Sequence, residues 1–269
     1  MLIAYQAGTF TKAQDWPMPR AVAADFQVRL ARTEADVRAA QRLRYEVFIE
    51  ELGGGGALVD HAARLEKDRF DPFFDHLLLT DRRNGNLAGV YRVMRSDMAL
   101  RAGGFYSEQE YDLAPLRASG RRLLELGRSC LHPAYRGGAA MHYLWGALAQ
   151  YVADHAIEVL FGVASFRGTD PAALAQPLSL LHHRHLAVPE LRVRAKTFHR
   201  MDLIPEADLD RRAATSALPS LIRAYLRLGG SVGEGAFVDH AFNTTDVCLI
   251  LDTERMSPRG VRIYRGAAT

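Results

Sequence analysis

The chain is poor in cysteine: Cys130 and Cys248 are its two cysteines in 269 residues, they stand far apart, and neither shows a CxxC or Cys/His ligand spacing. This excludes a disulfide framework and a cysteine-based zinc site, and fits a reducing cytosol. Long apolar runs are missing too. No stretch reaches the ~18 apolar residues of a membrane span. The opening MLIAYQAGTFTKAQDWPMPR lacks the basic, apolar and small-residue succession of an export signal, so a cytoplasmic protein is expected. The excess of positive charge is only three, carried by a basic set dominated by arginine. That leaves room for a local cationic patch but gives no reason to expect nucleic acid as a partner. The nucleophile signature GxSxG is absent and no internal repeat is visible. The glycine run at 53–56 is followed by no Lys-Ser/Thr, which excludes a phosphate-binding P-loop.

Hydrophobic residues make up 48% of the chain, enough for a sizeable core in one large domain or two small ones. Residues 1–25, broken by Pro17 and Pro19, read as an N-terminal arm with no assigned chemistry. Residues 26–30 alternate as a first strand. Residues 33–52 place Val37, Ala40, Leu43, Val47 and Phe48 at helical spacing, with Thr33 as N-cap and Gly53 as the stop. The four glycines at 53–56 predict a mobile loop, either a plain connection or a flap that orders over substrate. Residues 76–80 and 87–94 read as strands joined by a turn containing Asn84-Gly85.

Residues 108–122 read as a polar connection, 159–166 as another strand, and Asp170-Pro171 as a capped helix start. At the end of that helix His182 and His185 lie three apart, but no carboxylate or third ligand stands at a recognisable spacing, so no metal site is expected. Residues 218–228 form an amphipathic helix that packs on the core, with Arg223 and Arg227 off its apolar stripe and suited to an acidic protein or anionic lipid heads. Residues 246–251 make a last strand. Strands alternating with helices point to an α/β or α+β fold with a mixed sheet.

The richest stretch is LLELGRSCLHPAYRGGAA, residues 123–140. A mostly apolar strand carrying Glu125 and Arg128 runs through Pro133 and Gly137-Gly138 into a helix expected to begin near Gly138. The first amides of such a helix have no intrahelical partner and carry the positive end of the dipole. They suit a phosphate or the oxygens of a pantetheine arm, so the stretch can hold an acyl thioester. Strict alternation puts Glu125 and Arg128 on opposite faces, and a bulge near Gly127 would bring them together.

Arg44 and Phe48 in RLRYEVF, Asp68 and Asp71 in EKDRFDPFFDHLLL, Arg92 in GVYRVM, and Glu125 with Arg128 in LELGRS resemble, in order and spacing, the charged framework of the acyl-homoserine lactone synthases. The longer words RFDPFFDHLLLTDRRNGNLAGVYRVM, ELGRSCLHPAYRGG and YLRLGGSVGEGAFVDHAFNTTDVCLIL are more similar still to the ornithine-lipid synthases, the L-ornithine Nα-acyltransferases. The resemblance runs from about residue 26 to residue 252.

It implies a GNAT-like acyltransferase domain over residues 26–269, with a mainly antiparallel central sheet flanked by helices and a C-terminal helix and strand extension. The superfamily pattern of Gln or Arg, two residues, Gly, one residue, Gly or Ala is met at Gly138 and Ala140. Tyr135 stands where Gln or Arg is expected, and Arg136 is shifted by one. This departure argues against ordinary acetyl-CoA pyrophosphate binding and agrees with a donor that presents phosphopantetheine alone.

The implied reaction is transfer of a 3-hydroxyacyl chain from acyl carrier protein to the α-amine of L-ornithine, giving lyso-ornithine lipid. No cofactor of the enzyme's own is expected, because phosphopantetheine arrives on the donor. The long-chain product implies proximity to a membrane surface, with a cytosolic or peripherally attached enzyme. Glu125 is the candidate to take the amine proton, since burial can push a carboxyl towards the working pH. Arg128 and Arg92 suit the substrate carboxylate or the steadying of Glu125. Asp68 and Asp71 suit an ammonium group, or else an N-cap and an arginine partner.

Arg44 and Phe48 complete the expected substrate side, and Arg136, Gly137, Gly138 and Ala140 the pantetheine side. Cys130, in an apolar strand, is expected to be inert. Glutamine, lysine or another amino acid as acceptor, homoserine lactone synthesis from S-adenosylmethionine, and a non-catalytic module that binds carrier protein are the competing readings. The absence of an HxxxxD O-acyltransferase motif implies that a second enzyme adds any second chain.

Overall fold

The computed structural model describes residues 2–3 and 25–256. The strands are β1 (Leu2–Ile3), β2 (Phe26–Leu30), β3 (Asp75–Asp81), β4 (Leu87–Arg95), β5 (Tyr111–Asp112), β6 (Leu123–Leu131), β7 (Val159–Arg167), β8 (Arg194–Ala195), β9 (Ser231–Val232), β10 (Phe237–Asp239) and β11 (Thr244–Asp252). The helices are α1 (Glu34–Arg44), α2 (Ser96–Ala102), α3 (Ala114–Ala118), α4 (Ala140–Asp154), α5 (Ala175–His185), α6 (Arg211–Ala217) and α7 (Ser220–Leu228). The central sheet has the order β10-β11-β7-β6-β4-β3-β2, with β9 beside β11 and β1 beside β7. Its ladders are antiparallel except for β6–β7 and β1–β7, so the sheet is mixed and mainly antiparallel, as expected.

Apolar clusters bury both faces. Leu144, Leu148 and Tyr151 of α4 and Leu221, Ile222 and Tyr225 of α7 pack with Tyr91, Val93, Leu124 and Leu126 on one side. Ala40 and Leu43 of α1 cover Leu78, Val90 and Cys130 on the other. Thr33 caps α1 as its sequence predicts, in a reciprocal box with Asp36. Past Arg44 the helix widens into a π-helical turn, Tyr45–Glu51, a form that recurs where side chains are re-aimed at functional sites.

Parallel strands β6 and β7 pair over only three positions, the last being Glu125 opposite Phe161. Beyond that point they separate, and β1 takes up β7 at Ala164 and Ser165. Gly162 stands at the parting because a Cβ there would lie 2.3 Å from the Leu126 carbonyl oxygen. The remainder of the N-terminal arm, residues 4–24, and the end of the chain, residues 257–269, lie outside the described residues.

Two expectations change. Helix α4 begins at Ala140 rather than near Gly138, because Pro133–Tyr135 first close a 3-10 turn and residues 136–139 unwind before the helix. Residues 108–122 are more than a polar connection: a 3-10 turn (Tyr106–Gln109), β5 and α3 bury Ser107, Glu110, Tyr111, Leu113 and Leu116. Apolar residues at 111, 113 and 116 form neither a strand nor a helix period, which hid this packing from the sequence.

Candidate active site

The charged residues of the framework come together on the α1 face of the sheet. Val90, Arg92 and Met94 alternate onto that face of β4, and α1 delivers Arg44 over it. Arg44 donates from Nε to Glu66 Oε2 at 2.5 Å and through Nη1 and Nη2 to the two Asp71 oxygens at 2.8 Å each. Arg92 donates to Asp71 Oδ1 at 2.6 Å and Asp68 Oδ2 at 2.7 Å, with its guanidinium 4.2 Å from the Phe74 ring centre. Arg128 donates from Nε to Glu66 Oε1 at 3.0 Å and lies 3.5 Å from Asp68 Oδ2. Three arginines thus meet three carboxylates, and their charges cancel.

Burial pushes the Glu66, Asp68 and Asp71 carboxyls up, but the neighbouring arginines outweigh it and hold all three below the usual carboxylate range. His76, whose Nε2 meets the Asp71 carbonyl at 3.1 Å, is lowered to about 4 by burial and by Arg44, so it is neutral at pH 7.

Asp71 has no capacity left for a substrate ammonium. Its two oxygens accept from Gln41, Arg44 and Arg92, so the expectation of a substrate-binding Asp71 gives way to its alternative, an arginine partner. Asp68 is bound by the Phe70 amide and Arg92 but keeps 18% of its side chain exposed, the most open member of the network. Phe48 is fully buried with Leu43, Val90, Cys130 and Phe242 and stands outside the ionic network. There it supports Phe242, whose ring centre is 5.0 Å from the Arg128 guanidinium. Gly54 lets that ring close down, since a Cβ would lie 2.6 Å from it. Cys130 is raised to about 12 by burial, a non-nucleophilic thiol.

The expected bulge exists, one residue later than Gly127. Arg92 faces Gly127 and Val90 faces Cys130, so Arg128 and Ser129 together oppose Tyr91, and Arg128 adopts φ +50°. Alternation reverses across this point: Leu124 and Leu126 pack beneath α4, and so does Leu131. The bulge brings Arg128 to the face of Glu125, but no hydrogen bond or ion pair joins them among the described residues.

Glu125 is held instead by a turn the sequence did not single out. Its Oε1 accepts from the Ser107 amide at 2.6 Å and the Ser107 hydroxyl at 2.5 Å, and Oε2 accepts from the Tyr106 amide at 2.8 Å. Burial raises the Glu125 carboxyl, opposed by these bonds. Tyr106 mediates between acid and arginine, its ring centre 4.9 Å from the Arg128 guanidinium. Arg128 Nη1 and Arg92 Nε are buried without partners.

At the other end of β6, Arg136 forms a two-pronged ion pair with Glu51 at 2.8 and 2.7 Å. Cβ atoms added at Gly137 or Gly138 would meet nothing within 4 Å, and no side chain caps the first turn of α4 at Ala140. The stretch therefore presents open amides while Arg136 is engaged.

Residues 43–146 match the family model described as an acetyltransferase (GNAT) domain. The chain is 61% identical over 244 residues to the L-ornithine N(alpha)-acyltransferase of Rhodobacter capsulatus, covering 89% of this chain and 94% of that protein. The chain belongs to the L-ornithine Nα-acyltransferase family. The Brucella abortus member is 43% identical, with 90% of each chain covered. Among solved structures, FeeM, an N-acyl amino acid synthase from uncultured soil microbes, shares the fold at TM-score 0.50 and 13% identity, over 85% of this chain and 92% of that one. The AHL synthase LasI does so at 0.50 and 14%, over 90% and 95%. In this acyltransferase the framework words therefore fold into one buried ionic network beside the parting of β6 and β7.

Glu66, Tyr106, Ser107 and Gln41 are members of the site that sequence reasoning missed. Glu66 stood in the quoted EKD word, and a carboxylate beside two matched aspartates was its signal. Tyr106 and Ser107 act mainly through backbone amides, which leave no residue signature.

Proposed function

We propose that the chain transfers a 3-hydroxyacyl group from acyl carrier protein to the α-amine of L-ornithine, forming lyso-ornithine lipid. The likeness to the Rhodobacter capsulatus acyltransferase over nearly its whole length carries this reading. The geometry supports direct aminolysis. A free α-amine has a pKa of roughly 8, so about a tenth is neutral at pH 7. Glu125, raised by burial and oriented by three donors, accepts the proton directly or through water. The amine nitrogen bonds to the thioester carbonyl carbon, the carbon–sulfur bond breaks, and the proton passes to the departing pantetheine sulfur. Arg128, with Nη1 uncommitted, steadies the carbonyl oxygen or the acceptor's carboxylate.

Orientation of the two reactants supplies much of the acceleration without a covalent intermediate. Open amides at residues 137–140 receive the phosphopantetheine arm, which the donor brings, so no resident cofactor is invoked. Among the described residues no helix is long and apolar enough to cross a membrane. A long-chain product is delivered at a membrane surface, which the enzyme meets peripherally.

Mass spectrometry tests the reading. Purified protein is mixed with 3-hydroxyacyl-acyl carrier protein and equimolar ornithine, glutamine, lysine and S-adenosylmethionine, beside Glu125→Gln. N-acylornithine, lost in the variant, is the expected result. Another acylated amine changes the acceptor, an acyl lactone changes the family activity, and intact thioester in every reaction leaves a binding module.

A further inference from the structure

A second polar cluster lies across the parting from Arg128. Glu110 follows directly on the 3-10 turn whose amides hold Glu125, and Asp246 sits in β11 opposite Ser165 of β7. The Tyr111 hydroxyl ties the two elements together by donating to the carbonyls of Asp246 and Gly235, both at 2.9 Å. Carboxylate oxygens of Glu110, Asp246 and Asp239 all lie within 4.8 Å of one another. Glu110 and Asp246 are 4% and 0% exposed, while Asp239 is half-buried at the rim. No lysine, arginine or histidine among the described residues forms an ion pair with any of them.

The atoms left over are what point to a ligand. Among the described residues no hydrogen bond of good geometry reaches Glu110 Oε2 or either Asp246 oxygen, all buried; the Ser165 and Thr244 hydroxyls lie close enough to oppose the rise of the Asp246 carboxyl. The Ser165 hydroxyl, 2% exposed and placed by the strand register beside Asp246, likewise makes no such bond. Buried carboxylates with no ion-pair partner among the described residues are costly, and elsewhere the same chain compensates three of them fully. A site that needs a cation only in its working state leaves this pattern. Three carboxylates and a hydroxyl offer acceptors in the arrangement that an ammonium, with its three donors, can satisfy.

We propose that Glu110 and Asp246, with Asp239 at the rim and Ser165 beside them, receive the side-chain ammonium of the acceptor and so select a diamino acid over a neutral one. This rests on the acceptor being an amino acid acylated at its α-amine beside Glu125. The α-amine then lies at the base and the short methylene arm reaches the acids, which are joined to Glu125 through one turn of chain. The pocket acts on binding and leaves the bond-making step to Glu125.

Steady-state kinetics with one acyl carrier protein donor compare ornithine with norvaline, its isostere lacking the terminal amine, in the native enzyme, Glu110→Gln and Asp246→Asn. The native enzyme favours ornithine in kcat/KM. In each variant that preference falls by at least about tenfold, chiefly through KM, as expected for loss of a hydrogen bond to a charged group. Asp239→Asn, at the half-buried rim, reads the same pocket where a buried variant does not fold. A preference unchanged within about twofold in the folded variants overturns the proposal, as does an equal loss for both substrates.

Failure of the parent reading looks different, because ornithine is then not acylated by the native enzyme at all. In that case thermal stabilisation by 1,4-diaminobutane judges the pocket: loss of that stabilisation in Asp246→Asn supports it, and none in the native protein overturns it. Stabilisation by magnesium, calcium or manganese that exceeds the diamine's and disappears in Asp246→Asn also overturns it, assigning the acids to a metal ion.

Discussion

Two groups of buried carboxylates lie on either side of Arg128, and the fold treats them oppositely. Glu66, Asp68 and Asp71 are paired with three arginines and held below the usual carboxylate range. Glu110 and Asp246 have no partner of opposite charge among the described residues, and burial pushes both up, Asp246 to about 6. A balanced network is a scaffold: it fixes α1, the 66–71 segment, β4 and β6 to one another, and leaves only Arg128 Nη1, Arg92 Nε and the partly open Asp68 uncommitted. An unbalanced one is the arrangement that the proposed substrate ammonium completes. Most matched charged residues thus hold one another, while of the proposed recognising acids Asp239 and Asp246 lay unremarked inside the last matched word and Glu110 in none.

Breaking the balance should give the largest effect. Asp71→Asn leaves Arg44 and Arg92 buried and under-compensated, with an expected loss of about 3–5 kcal/mol of stability in urea unfolding, or no folded protein. A loss below about 1 kcal/mol would mean that the network is not the scaffold described.

Glu125→Gln should lower kcat of the folded protein by about a hundredfold or more, and should also lower the melting temperature, because its amide group sets an N–H against the Tyr106 or Ser107 amide. Retention of activity would remove Glu125 as the base.

The two groups also predict opposite pH responses. The paired carboxylates have depressed values, so their stability is present at neutral pH and is lost as pH falls through those values. Burial raises Asp246 from 3.8 to about 6; Asp239 adds to the rise as a like charge, and the Ser165 and Thr244 hydroxyls oppose it. Its contribution is therefore full in acid and declines as pH rises through about 6. Asp246→Asn should melt about 2–6 °C above the native protein at pH 8, with the gap closing towards pH 5. A gap that widens in acid contradicts the assignment.

Ser107→Ala carries the smallest effect. It removes one of three donors to Glu125, so kcat/KM should fall about three- to tenfold. Because that hydroxyl bond lowers the Glu125 carboxyl, the acid limb of the pH–rate profile should move to higher pH. A limb that stays fixed would show that Glu125 does not set it.

The fold was legible where local signals agree. Thr33 marks a helix start, Asn84-Gly85 marks a hairpin, and strands β4, β6, β7 and β11 follow apolar runs of the right length. The framework was legible as words in order, which told that Arg44, Asp71 and Arg92 matter but not that they bind one another. Pairing across 21 to 62 residues of chain has no local trace. Glu110 was read as part of a polar connection, although its neighbours Tyr111 and Leu113 are buried. Asp246 opened an otherwise apolar strand, DVCLIL, and a charge at that place was the available sign.

Strand β1 carries one more consequence. Leu2–Ile3 hold the edge of β7 that β6 abandons, the level at which Ser165 stands opposite Asp246. A donor arm that seeks the same edge must first displace them, so the measured affinity for the donor is its intrinsic affinity scaled by the fraction of molecules with the strand released.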